Sequence, residues 1–315
     1  MTASEEAPQP PPRGTIVVGG EALYDVVAAD GDELRAHPGG GPFNAARTIA
    51  RLEQPVAYLG RVSNDRFGAR LERILVDDGV HLEAVVRTDD PTTLALAELD
   101  ERGSAQYRFY FEGTSAAGLT TQEALAALPE KVDILFVGTL GLVLEPLATA
   151  LEAVVEHLAG HALIALDPNC RPSAVRDPAA YRGRLGRLLG LTQLVKVSEE
   201  DIAWLDPGRD ALEATRALLD EGPSVALLTR GGDGVTVIGR DRHIDVAAPP
   251  VRVVDTIGAG DAFAGGFIAW WHAQRLDRDA LEDLDLAAEA AAFGCLVAAK
   301  TCEQAGASPP RRLEL

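Results

Sequence analysis

From residue 15 onward the chain alternates between short, unbroken apolar runs and longer segments with an apolar residue every three or four positions. Short apolar runs bounded by turn-forming residues read as buried strands, and the wider spacing reads as amphipathic helix. On this basis Thr15–Gly19 is a strand, Ala45–Leu52 a helix, Val56–Leu59 a strand and Phe67–Asp78 a helix. Leu94–Leu99 and Gln106–Phe111 alternate apolar and polar residues around the turn Asp100–Gly103, which predicts a hairpin. Ile134–Val137, Leu163–Asp167, Leu194–Val197 and Val225–Thr229 follow as strands, separated by helices at Leu147–Leu158, Tyr181–Leu189 and Ala211–Asp220. A Gly-rich turn and hairpin run to Ile244; Val251–Val254, a helix within Val253–Trp271 and an Ala-rich helix at Leu286–Lys300 complete the chain. Alternation of this kind predicts an α/β fold with an open, largely parallel sheet flanked by helices. The early hairpin is expected to be a small β lid inserted in a single domain, with lid segments at about 20–37 and 92–115 of a domain spanning 14–311. Ligands of such sheets sit at the carboxyl ends of the strands.

Composition narrows the partners. A chain of 315 residues can bury a sizeable core. Its net charge of −19 argues against nucleic acid or an anionic membrane. A phosphorylated small molecule stays open, because backbone amides supply local positive potential. No run of 18 apolar residues occurs, so no membrane span is expected. Residues 1–13 are acidic and Pro-rich without an apolar signal core, and read as a disordered tail. Cys170, Cys295 and Cys302 lack metal-site or redox-motif spacing, which fits a reduced, cytoplasmic protein. His157 and His161 have no third ligand in view and are not read as a zinc site.

The candidate chemistry starts in VVDTIGAGDAFAGGFIAWW, where Gly258, Ala259 and Gly260 precede an apolar helix. Helix N-termini carry unpaired N–H groups and positive potential, and small residues let an anion approach them. Asp261 has two readings there: a carboxylate that caps the helix, or a base facing a hydroxyl that attacks the bound anion. A weak base suffices for phosphoryl transfer, whose loose transition state releases the hydroxyl proton late. HPGGGPFNAARTIARL, from His37, supplies a second Gly-rich loop with Gly40 and Gly41, then Asn44, either a helix N-cap or a ligand-binding amide. None of the three lysines follows a glycine as Walker A requires, and Gly19-Gly20-Glu21-Ala22 does not fit the dinucleotide fingerprint.

Gly40-Gly41-x-x-Asn44 early and Asp255-Thr256-Ile257-Gly258-Ala259-Gly260-Asp261 late form a pair that resembles the signature of the ribokinase (PfkB-type) sugar kinases. The resemblance covers nearly all of the chain after the tail. It implies a ribokinase-like fold and ATP-dependent transfer to a sugar hydroxyl, with Asp261 as base and the amides of Gly258, Ala259 and Gly260 as anion hole. Asp25 corresponds to a sugar-binding aspartate, and Leu228-Thr229-Arg230-Gly231-Gly232-Asp233-Gly234 resembles a nucleotide-side turn, implicating Thr229, Gly231 and Gly234. Ser198 through Asp201 stands where the family has N-x-x-E, implicating Ser198 on the cofactor side and Glu200 or Asp201 with Mg2+ through water. Thr256 joins the cofactor side, and Asp255 marks the place of a monovalent cation such as K+. Gly40-Gly41-Pro42-Phe43-Asn44, the Gln106–Ser115 stretch and Asp167-Pro168-Asn169-Cys170-Arg171-Pro172 resemble fructokinase-like members, with Arg108 and Arg171 as substrate ligands. A neutral sugar such as fructose is expected. A 2-keto-3-deoxygluconate kinase is the alternative, opposed by Glu112 where a sugar acid needs an arginine; a nucleoside kinase and a non-catalytic sensor follow. The hairpin also offers an edge through which a homodimer could pair.

Overall fold

The computed structural model describes residues 14–28, 34–99 and 105–315; the expected tail and the hairpin turn Asp100–Gly103 lie outside them. Among the described residues the strands are β1 (Thr15–Gly19), β2 (Leu23–Ala28), β3 (Leu34–Gly39), β4 (Val56–Ser63), β5 (Val85–Thr88), β6 (Leu94–Leu99), β7 (Ala105–Tyr110), β8 (Val132–Gly138), β9 (Leu163–Asp167), β10 (Leu194–Ser198), β11 (Val225–Thr229), β12 (Val235–Ile238) and β13 (His243–Val246). Nine of them form one sheet in the order β13-β12-β11-β10-β9-β8-β1-β4-β5. Within it β12 runs antiparallel to β11 and β13, and the remaining pairs are parallel. The helices that return the chain are α1 (Gly41–Arg51), α2 (Arg66–Asp78), α3 (Thr121–Ala126), α4 (Leu147–Leu158), α5 (Pro178–Leu189), α6 (Glu199–Leu205), α7 (Ala211–Ala217), α8 (Ala259–Ala273) and α9 (Leu284–Cys302).

Both faces of the large sheet are covered, which is why its strands read as unbroken apolar runs. In β1, Val17 joins the core under α4 and α5, whereas Ile16 and Val18 join the core under α1, α8 and α9. The other four strands make a small sheet in the order β3-β2-β6-β7, in which β2 and β3 lie beside the hairpin of β6 and β7. The hydrophobic pattern marks no strand at β2, because a charged residue, Asp25, interrupts its short apolar run.

Other boundaries shift for local reasons. α1 begins at Gly41, ahead of the expected Ala45, because Pro42 lies in its first turn, where a fixed φ suits the helix. α7 stops at Ala217 and tightens into a 3-10 turn over Leu218–Glu221. Val251–Val254 joins no strand; the N–H of Val254 instead donates to the carbonyl of Cys302, 2.8 Å away. Because β1, β8, β9, β10 and β11 are parallel, Gly19, Gly138, Asp167, Ser198 and Thr229 end at one edge of the sheet. The residues singled out by sequence converge there.

Candidate active site

α8 starts after Gly258, whose φ of +77° is left-handed and whose absent Cβ would lie 2.6 Å from the Cβ of Ala307. Glycine is therefore required at this helix entrance. Asp261, in the first turn, does not cap the helix. Its Oδ2 accepts a hydrogen bond from Asn44 Nδ2 at 2.9 Å, joining the late motif to the early one.

Asn44 is not a cap either. Gly40, with φ +108°, occupies the N-cap of α1, and the Asn44 N–H donates to its carbonyl at 3.0 Å. The Asn44 side chain is thus available to the cleft. Its Oδ1 is buried and has no hydrogen-bond partner among the described residues. Gly41 closes the junction: a Cβ on it would lie 3.1 Å from Asp261 Oδ1 and 2.5 Å from Thr139 Cγ2. Of the three amides expected in the anion hole, that of Ala259 donates to Thr256 O at 3.2 Å. The amides of Gly258 and Gly260 have no partner among the described residues, as the first turn of a helix dictates.

The cleft is crowded with carboxylates. Burial raises the pKa of Asp261, and the Asn44 hydrogen bond, Lys196 and Arg171 pull it back. Asp25, on β2, is pushed up to about 6 by burial and by Asp261, against the pull of Arg171. Its carboxylate rests on Gly39, where a Cβ would fall 2.1 Å from Oδ2. Asp167, at the end of β9, is raised to about 6 by burial although Lys196 Nζ donates to its Oδ2 at 2.8 Å. Glu21 is raised to about 7 by burial. It accepts from the Thr139 hydroxyl, from Gly41 N–H at 3.2 Å and from Gly141 N–H at 3.1 Å.

On the other side of the cleft Ser198 and Thr229 are direct register partners at the ends of β10 and β11. Ser198 caps α6 in a reciprocal box with Asp201, whose Oδ2 accepts from the Ser198 N–H and hydroxyl, each at 2.8 Å. Asp201 Oδ1 accepts from Cys170 N–H. Asp201 is buried in the site while Glu200 is exposed on α6, so geometry separates the two carboxylates that sequence left paired. Gly231 and Gly234 take positive φ of +52° and +92° in a turn closed by Arg230 N–H donating to Gly234 O. Thr256 is exposed ahead of α8. Asp255 accepts from Ile257 N–H at 3.0 Å and Gly306 N–H at 2.8 Å, fastening the C-terminal segment beside Gly258.

Two arginines differ from expectation in placement. Arg171 folds back on its own loop, donating to Asn169 Oδ1 at 2.7 Å, and acts on Asp25 and Asp261 through its charge. Arg108 is set by register on the face of the small sheet opposite Asp25: Asp25 pairs with Ala95 and Ala95 with Phe109. Strand alternation therefore puts Phe109, rather than Arg108, on the Asp25 side. Sequence reading passed over Glu21, Asp167 and Lys196 as site residues. Lys196 lies within β10, Asp167 closes β9 and Glu21 lies in the short link between β1 and β2; a charged residue set in or next to apolar strands was the available signal.

Residues 14–312 match the pfkB family carbohydrate kinase profile. The fructokinase of Rhizobium leguminosarum bv. trifolii is 34% identical over 256 residues, 79% of this chain and 77% of its own. Fructokinase-1 of Zea mays is 31% identical over 310 residues, 94% of each chain. Among solved structures, the ATP-bound fructokinase of Xylella fastidiosa superposes with a TM-score of 0.84 at 26% identity, over 93% of both chains. A double mutant of the Vibrio cholerae O395 fructokinase with fructose, ADP and potassium ion bound gives 0.82 at 25% identity, over 93% of this chain and 94% of its own. The chain belongs to the pfkB family of carbohydrate kinases.

Proposed function

We propose that this kinase transfers the γ-phosphoryl group of ATP to a hydroxyl of fructose or a closely similar neutral sugar. One observation carries the reading. Asn44 holds Asp261 by its amide N–H, and its own Oδ1 is buried with no hydrogen-bond partner among the described residues. A sugar hydroxyl that donates to Asp261 lies beside that acceptor, in front of the α8 amides. Asp25, on the small sheet, supplies a further acceptor for sugar hydroxyls.

Asp261 takes the hydroxyl proton as the new P–O bond forms. The amides of Gly258 and Gly260, with the N-terminal potential of α8, stabilise the charge on the phosphoryl oxygens. Ser198, Thr229, Gly231, Gly234 and Thr256 border the nucleotide, with the turn glycines bringing backbone close to it. Magnesium, when bound with ATP, neutralises phosphate charge. Both Asp201 oxygens already accept N–H or O–H donors, which suits a hold through water rather than direct ligation. The buried Asp167 Oδ1, without a partner among the described residues, is the second acceptor for that hydration shell. For a monovalent cation, Asp255 keeps one lone pair per oxygen free of its two amide bonds and fits as one contributor beside backbone carbonyls.

The named relatives phosphorylate, by their names, fructose, and one neighbour holds it. Glu112 stands where a sugar acid needs an arginine, and it pairs with Arg176. The small sheet closes over the sugar as a lid, and its free edges β3 and β7 are where two copies would pair. No helix among the described residues is long and apolar enough to cross a membrane, and we place the enzyme in the cytoplasm with its nucleotide. The test is ATP-dependent phosphorylation across hexoses, pentoses, sugar acids and nucleosides. Fructose is expected to give the highest kcat/KM; a sugar acid or nucleoside ahead of it refutes the acceptor assignment.

A further inference from the structure

Lys196 lies in β10 with its aliphatic stem among Phe136, Leu227, Ala264 and Phe267, on the core side of α8. Such packing lets a long cationic side chain carry its head group to a distant point. The ammonium arrives at the N-terminus of α8, where a Cβ on Gly260 would be 3.3 Å from Nζ. This is the wrong end of a helix for a cation, because the dipole there is already positive. Burial adds a second penalty, since Lys196 is 6% exposed. Asp167 offsets part of both by accepting from Nζ at 2.8 Å, and that is the single hydrogen bond the ammonium makes among the described residues. Burial alone would lower the lysine pKa, but Asp167, Asp201 and Asp261 together outweigh it and keep the group charged. An apolar pair of similar volume would satisfy the core as well. A charged lysine with two N–H groups left over, against an anion-binding helix entrance, calls for an anion.

We propose that Lys196 is a further catalytic residue, donating from beneath the α8 entrance to the γ-phosphoryl oxygens while its charge favours the ionised form of Asp261. Asp167 is its positioning residue. The inference rests on the kinase reading of this site and adds a side-chain donor to the backbone anion hole. The charged groups that act on Asp261 are then Lys196 and Arg171, which favour its carboxylate, while Asp261 in turn raises the pKa of Glu21, Asp25 and Asp167 around it.

The experiment compares the wild-type protein with Lys196→Met and with the double variant Lys196→Met/Asp167→Asn, which leaves no stranded buried carboxylate. Calorimetry without sugar measures binding of ADP and of an imido-bridged, non-hydrolysable ATP analogue. A lost charge-assisted hydrogen bond is expected to weaken the analogue by about 10–100-fold while ADP changes by roughly twofold or less. Turnover is expected to fall about 10²–10³-fold, as when one preorganised donor is removed. In the variant the acid limb of kcat/KM moves to higher pH, because Asp261 loses a cation that lowers its pKa. A purely structural lysine does not move the ratio of the two nucleotides. Equal weakening of both nucleotides by Lys196→Met alone, or unchanged turnover in that folded variant, overturns the proposal. If the wild type phosphorylates no acceptor, the kinase reading fails, while the nucleotide comparison still decides whether Lys196 meets the γ-phosphate.

Discussion

On the acceptor side of the cleft Glu21 and Asp261 are held by named side chains and amides, and burial raises the pKa of both and of Asp25. On the nucleotide side Ser198, Thr229, Gly231 and Gly234 sit at strand ends and in a tight turn, and Asp201 has its oxygens engaged by a cap. The first region stores electrostatic strain; the second is relaxed. The difference follows from the job. A sugar hydroxyl is a poor nucleophile that needs one oriented acceptor, so position and protonation must be set by the protein. A triphosphate brings its own charge, and backbone N–H groups with room to approach are enough to bind it. Substitutions on the acceptor side should therefore act on kcat and pH dependence, and those on the nucleotide side on nucleotide affinity.

The sharpest break is Asp261→Asn. Removing a positioned general base is expected to lower kcat about 10²–10⁴-fold. Calorimetric affinity for ADP should stay near wild type, because the α8 amides and the Thr229 side are unchanged. Turnover within tenfold of wild type would remove Asp261 from the base role and with it the contrast between the two sides.

Asn44→Ala tests the junction itself. Loss of a hydrogen bond to a charged group is worth about 1.5–3 kcal/mol, so kcat/KM should fall roughly 10–100-fold. The Asn44 bond also holds the Asp261 pKa down, and without it the acid limb of the rate profile should move to higher pH. The base works ionised, so activity is lost as pH falls through that pKa. A drop in rate with an unmoved limb would leave Asn44 as a sugar ligand only.

Glu21 separates strain from catalysis. Its folded pKa of about 7 lies above the ordinary 4.5, so its contribution to stability is full below pH 4.5 and lost as pH rises through 7. Across that window the contribution is on the order of 3 kcal/mol. Thermal unfolding should thus show the wild-type protein losing several degrees of Tm between pH 5 and pH 8 from this group. Glu21→Gln keeps one acceptor oxygen and cannot ionise; its Tm should vary less over the same range. An identical slope in both proteins would show that Glu21 is not strained.

How much of this was legible beforehand depended on the scale of the signal. Continuous apolar runs such as Thr15–Gly19 and Leu163–Asp167 gave strand limits that hold to the residue, because both faces of the sheet are buried. The Gly-Ala-Gly-Asp and Gly-Gly-x-x-Asn motifs could be read because glycine at positive φ and a polar residue at a helix entrance leave a local mark. The Asn44–Asp261 bond itself spans 217 residues and leaves none. Glu21, Asp167 and Lys196 were harder still. A charge in or next to an apolar strand shows that something must satisfy it. Only the folded chain shows that Thr139, Gly41 and Gly141 do so for Glu21, or that Lys196 ends beneath Gly260. Arg108 illustrates the opposite error. Its neighbourhood in sequence is right, but a period of two put its side chain across the sheet from Asp25.

The smallest effect is expected where the site is relaxed. Thr229 Oγ1 donates to Val197 O at 3.3 Å, a long bond that Thr229→Val removes with little change of volume. If the hydroxyl also meets the nucleotide, one neutral hydrogen bond is lost, worth about 0.5–1.5 kcal/mol. KM for ATP should rise roughly two- to tenfold while kcat, KM for sugar and the acid limb stay put. The pattern matters more than the size. Asp261 and Asn44 variants change the rate and its pH dependence, and a Thr229 variant that did the same would mean that strain reaches across the cleft. The buried pair Asp167–Lys196 is the path it would take, since it joins the ends of β9 and β10 to the α8 entrance. A Thr229→Val protein with an unmoved acid limb would instead confine that coupling to Lys196 and leave the nucleotide turn independent of the base.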